Sequence, residues 1–125
     1  MSFTFTINAN KADNILMVKI AGFISSLNEY EQWERAIEQT WQTEFHHPVK
    51  ILSDQRDFKP VSPEIMERVK QYRMRKAPLV IATATIVEDV ISQMQLKRLS
   101  AQSGLKDREN FFVDVDEALK WLKKQ

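Results

Sequence analysis

Polar and apolar positions alternate from the start of the chain. Phe3, Phe5 and Ile7 interleave with Ser2, Thr4 and Thr6, the period of two of a strand with one buried face. Asn10-Lys11-Ala12-Asp13 has the composition of a turn, and Ile15 to Ile20 is then nearly continuous in apolar residues, like a strand covered on both faces. Their closeness predicts an antiparallel hairpin. Gly22 to Asn28 ends the second strand and opens a helix, with Ser26 and Glu29, or Asn28 and Glu31, at capping-box spacing. Tyr30, Trp33, Ile37 and Trp41 follow at helical intervals, and this stripe places both tryptophans in the core.

After Pro48, Val49 to Leu52 reads as a short strand ending at Asp54, followed by a polar loop, Asp54-Gln55-Arg56-Asp57-Phe58-Lys59-Pro60. Ser62-Pro63 puts a capping serine before a proline at the first helical position, and Ile65, Val69 and Tyr72 mark that helix's buried face. Leu79 to Ala82 is a further strand. Thr85 and Glu88 are spaced as a capping box for a third helix, with Val87, Val90, Ile91 and Met94 expected inward and Gly104 as its stop. Asn110 to Val113 is the last strand, and Asp114 with Glu117 opens a final helix that buries Val115, Ala118, Leu119 and Leu122.

The order ββαβαβαβα implies an α/β fold with a single mixed, mostly parallel sheet, one antiparallel edge and right-handed crossovers. Residues 1–125 read as one domain, a length that supports one sizeable core. Leu96 and Leu99 fall off the stripe of the third helix, and Trp121 off that of the last. Clustered on the surface they would form an interface; helices packed sideways would hide them instead.

Composition narrows the function classes. The net charge of +1 supplies no overall field toward nucleic acid or membrane, and the absence of cysteine excludes disulfides, thiolate nucleophiles and cysteine metal sites. The N-terminus lacks the basic and apolar pattern of a signal peptide. The longest apolar runs, Ile15–Ile20 and Ala77–Ala84, fall far short of the ~20 residues that span a bilayer, so a cytoplasmic protein without membrane insertion is expected.

Two stretches carry a family likeness: Ile51-Leu52-Ser53-Asp54-Gln55-Arg56-Asp57, and Phe111-Phe112-Val113-Asp114-Val115-Asp116-Glu117-Ala118-Leu119-Lys120-Trp121-Leu122. With the element order, they resemble the STAS family of sulfate-transporter and anti-sigma-factor-antagonist domains, and within it an uncharacterised bacterial branch. The resemblance implies a module that docks on protein partners. It also implies phosphorylation of a serine opening the helix after the third strand, which corresponds to Ser62, although Val61-Ser62-Pro63-Glu64 stands where the family carries Asp-Ser-Ser-Gly. A related likeness, to lipid-binding proteins with a similar sheet, implies an apolar ligand.

Read from its residues, Ser62 either caps the helix or offers a phosphate to unpaired N–H groups at the helix start. Asp54, Arg56, Asp57 and Phe58 lie at the end of a central strand, where open α/β sheets bind ligands or partners. Asp54 and Asp57 are the one carboxylate pair suited to acid–base work, and Arg56 between them points to a tied loop instead. His46-His47 project to opposite sides of an extended segment and suit no metal. Arg68, Lys70, Arg73, Arg75 and Lys76 scatter around their helix, which argues against nucleic acid. The expectation is therefore a non-enzymatic interaction or regulatory module without cofactor, which meets a protein partner or self-associates through Leu96, Leu99 and Trp121. The alternative is a carrier or sensor of a small apolar ligand.

Overall fold

The computed structural model describes residues 3–59 and 61–125. Ser2, at the head of the alternating run, and Pro60, at the end of the polar run, lie outside them. Strand β1 (Phe3–Asn10) turns back through Lys11–Asn14 into β2 (Ile15–Gly22), with Phe3 opposite Gly22 and Asn10 opposite Ile15. Asp13 N donates to Asn10 Oδ1 at 3.2 Å, and Asn14 takes a left-handed φ of 59°, which asparagine tolerates well. Helix α1 (Leu27–Glu44), β3 (Val49–Phe58), α2 (Pro63–Lys76), β4 (Val80–Ile86), α3 (Val90–Gln102), β5 (Glu109–Phe112) and α4 (Val115–Lys123) complete the chain.

The sheet has five strands in the order β1-β2-β3-β4-β5, antiparallel at the first pair and parallel thereafter. Its two faces follow from the alternation of side chains. Leu16 and Val18 pack with Ile37 and Trp41 of α1 and Tyr72 of α2. Ile15, Leu52, Ala82, Ala84 and Ile86 face the other way, onto Ala118 and Leu122 of α4. Small alanines in β4 let α4 approach closely, and the full burial of Leu122 contributes roughly 1.5–3 kcal/mol.

Three expectations about the strands and their ends change. The polar run Asp54–Phe58 is strand, because Asp54, Asp57 and Phe58 pair with Lys19, Ala21 and Gly22 of β2. The register shifts between Lys19 and Ala21, and this bulge returns Phe58 to the helix-covered face, among Ile20, Ile24 and Tyr30. Thr85 caps nothing: it lies in β4 between Ser53 and Phe111, and Asp89 caps α3, accepting from Ser92 N at 2.7 Å. Leu79 belongs to a 3-10 turn, Ala77–Leu79, ahead of the strand.

The third helix sits in the opposite phase to the one expected. Leu99 and Ser100 are buried, while Val90, Ile91 and Met94 point to solvent. Anchoring comes from the helix end: Ser103 N donates to Leu99 O and Leu105 N to Ser100 O, both at 2.9 Å, around Gly104 at φ +79°. Leu105 then enters the core cluster of Trp41 and Tyr72.

Candidate functional site

Between the sheet and helices α1, α2 and α3 lies a cavity of about 120 Å³. Leu16, Val18 and Ile51 form its apolar floor, Tyr30, Trp33 and Ile37 of α1 one wall, and Leu96 and Leu99 of α3 another. Polar groups reach it at a few points. Ser53 and Gln55 share the floor with Ile51 because they alternate with it along β3, and Gln55 Nε2 donates to Ser53 Oγ at 3.0 Å. Arg73 and Lys76 of α2 and Thr83 of β4 add to them.

Arg73 belongs to a buried ion pair. Glu109, first residue of β5, has a fully buried side chain; Arg73 Nη2 donates to one of its oxygens and Thr85 Oγ1 to the other, the latter at 2.5 Å. Both carboxylate oxygens are thus answered, as burial of such a charge requires. Two donors on the cavity-lining residues have no partner among the described residues: Arg73 Nε and Trp33 Nε1, both out of reach of solvent.

Of the rest of the basic run on α2, Lys70 pairs with Glu67 of its own helix at 3.8 Å, and Arg68, Arg75 and Lys76 meet α1. Glu31, Glu34 and Glu38 recur at helical spacing and meet Arg68 at 3.6 Å, Arg75 at 3.7 Å and Lys76 at 2.9 Å. Tyr30 and Tyr72 donate to Glu34 and Glu38, each at 2.9 Å, and burial together with these carboxylates raises both phenol pKa values. Burial tends to raise the pKa of Glu38 too, but the bonds from Lys76 and Tyr72 outweigh it and hold the value below the ordinary one. The basic run is therefore largely a helix–helix seam.

Of the residues singled out from sequence, Asp54 and Arg56 form a bidentate pair at 3.0 and 2.8 Å. Burial of Asp54 is opposed by the Arg56 side chain and amide, so its pKa falls below the usual carboxylate value. Asp57 is exposed on the same strand, and Phe58 is half-buried on the helix face. Ser62 is exposed and caps α2, accepting from Ile65 N at 3.4 Å. His46 and His47 are exposed just past α1.

Leu96, Leu99 and Trp121 lack the exposure that suggested an interface. Leu99 is buried and Leu96 half-buried along the cavity. Trp121 packs on Phe112 with ring centroids 5.7 Å apart, beside the α4 core. The helices do pack over these side chains, the second of the two readings. Exposed instead are Val90, Ile91 and Met94. Sequence reasoning passed over the Arg73–Glu109 pair, whose members stand 36 positions apart with no local pattern linking them.

No protein-family model matches this sequence, and no curated protein matches it. Solved structures do. An uncharacterised protein from Shewanella loihica, described as a DUF3478 family member with a SpoIIAA-like fold, superposes with a TM-score of 0.75 at 17% identity, over 97% of this chain and 94% of that one. An anti-sigma factor antagonist from Mycobacterium paratuberculosis superposes with a TM-score of 0.63 at 14% identity, over 98% and 95% of the two chains. The fold is STAS-like. In this STAS-like sheet α1, α2 and α3 share the face that holds the cavity, and Ser62 occupies the helix start that follows the third strand. No helix of the described residues is long and apolar enough to cross a membrane.

Proposed function

We propose that this chain is a non-enzymatic regulatory module that works by docking, and that the outer side of α3 is its docking face. The observation that carries this is the exposure of Val90, Ile91 and Met94, at 69%, 72% and 60%, on a helix that buries Leu99. Aliphatic side chains adjacent on one surface favour a partner that removes them from water. The anti-sigma factor antagonist among the structural neighbours supports a regulatory role for the fold. Asp54 is committed to Arg56, which leaves the carboxylate pair poorly suited to acid–base work.

Charge selects the occupant. Glu88 and Asp89 precede the apolar residues and Lys97 and Arg98 follow them. A second copy with its α3 antiparallel would set Glu88 and Asp89 against Lys97 and Arg98 at both ends of a two-fold contact. Sedimentation equilibrium from micromolar to millimolar concentration tests this. A dimer that Ile91→Ser with Met94→Ser dissociates, without loss of helical signal, is expected; a monomer throughout would overturn the second copy as occupant.

The cavity favours a second reading, a carrier or sensor of a small apolar ligand. Native mass spectrometry of protein purified from its own host should then show a stoichiometric non-covalent adduct; the bare mass would count against it.

A further inference from the structure

We infer that the cavity takes a compact, uncharged molecule carrying a hydrogen-bond acceptor, in the class of a cyclic ketone, which answers the unpaired N–H of Trp33 or Arg73. The inference rests on the ligand-carrier reading and specifies its chemistry. Size comes first. An apolar cavity of about 150 Å³ holds a benzene ring. At about 120 Å³, and open to a neighbouring pocket, this one suits a body of about one six-membered ring.

The polar groups give the rest. Trp33 Nε1 and Arg73 Nε can only donate, both are buried, and both residues line the cavity. A buried donor without a partner is costly, so an incoming acceptor gains more here than in water. Water is a poor substitute beside Trp33, which packs against two apolar clusters, because a buried water needs two to four polar partners. Charge excludes an anion. The cations lining the cavity, Arg73 and Lys76, are already matched by Glu109 and Glu38. A carboxylate ligand would therefore bring an unmatched buried charge.

The way in follows the seam between α2 and α3. The cavity shares Gln55, Phe58, Val61, Met66 and Leu96 with a neighbouring pocket. That pocket in turn borders a groove lined by Pro63 and Gln95. α3 thus closes the site with the side opposite its exposed aliphatic residues.

Three probes decide the matter: cyclohexanone, methylenecyclohexane (the same shape with CH₂ in place of the carbonyl oxygen) and cyclohexanecarboxylate. Titrations into ¹⁵N-labelled protein follow the Trp33 indole and Arg73 Nε–H signals, assigned with Trp33→Phe and Arg73→Lys; the lysine keeps a cation against Glu109. Cyclohexanone should move at least one of these signals. At least one variant should weaken cyclohexanone by roughly tenfold more than it weakens the hydrocarbon, the worth of one buried hydrogen bond. Equal weakening of both in each variant would remove the acceptor while leaving the cavity as a ligand site. Tighter binding of the carboxylate than of the ketone would overturn the uncharged class. If none of the three binds the unaltered protein, this inference falls, and the carrier reading is decided separately by the native mass.

Discussion

Glu109 has no contact with water and depends on Arg73 and Thr85 for its two oxygens. Removing one member of such a pair costs more than removing both, because the survivor is left as an uncompensated buried charge. Glu109→Ala should therefore lower unfolding stability in urea by about 3–5 kcal/mol, while Arg73→Met with Glu109→Leu should recover most of that loss. Glu38 and Asp54 have folded-state pKa values below their ordinary 4.5 and 3.8, so each stabilises the fold above those values. That contribution disappears as pH falls through the lower folded values, when the unfolded state binds the proton more readily. Denaturation midpoints should fall on acidification through this range, and Glu38→Gln should flatten the decline; an unchanged slope would show that Lys76 and Tyr72 do not hold the carboxylate.

At the scale of elements, α3 separates what its sequence says from what its surroundings impose. Apolar residues occur on two of its sides, so periodicity alone could not choose between Val90–Ile91–Met94 and Leu96–Leu99. The choice is made by Gly104 and the bonds into Leu99 and Ser100, which hold the end of the helix to the core. Leu99→Ala should cost about 2–5 kcal/mol, whereas Ile91→Ala should stay within about 0.5 kcal/mol; the reverse order in thermal or urea melts would restore the phase first read from sequence. Caps set by neighbouring residues were legible: Ser62 and Asp114 stand where the pattern puts them, and Ser26 is the one of two candidates that caps α1. Thr85 was not, because its strand partners Ser53 and Phe111 are distant in the chain. The polar end of β3 was hidden for the same reason: Asp54 is extended between β2 and β4, and Asp57 beside β2.

For the whole molecule, element order was enough to give the mixed, mostly parallel sheet and its antiparallel edge, since chain connection rules leave few alternatives. The cavity was not legible. It arises where three helices meet the sheet, and no segment of sequence records how well distant side chains fill the space between them. The same topology orders events during synthesis. Each strand pairs with the one made just before it, so the sheet can grow from β1 toward β5 as the chain emerges. Its second face must wait. Ile15, Leu52, Ala82, Ala84 and Ile86 gain their cover only from Ala118 and Leu122, which are translated after every strand. Until α4 leaves the ribosome the nascent sheet carries an open apolar surface, the condition under which partly folded chains aggregate.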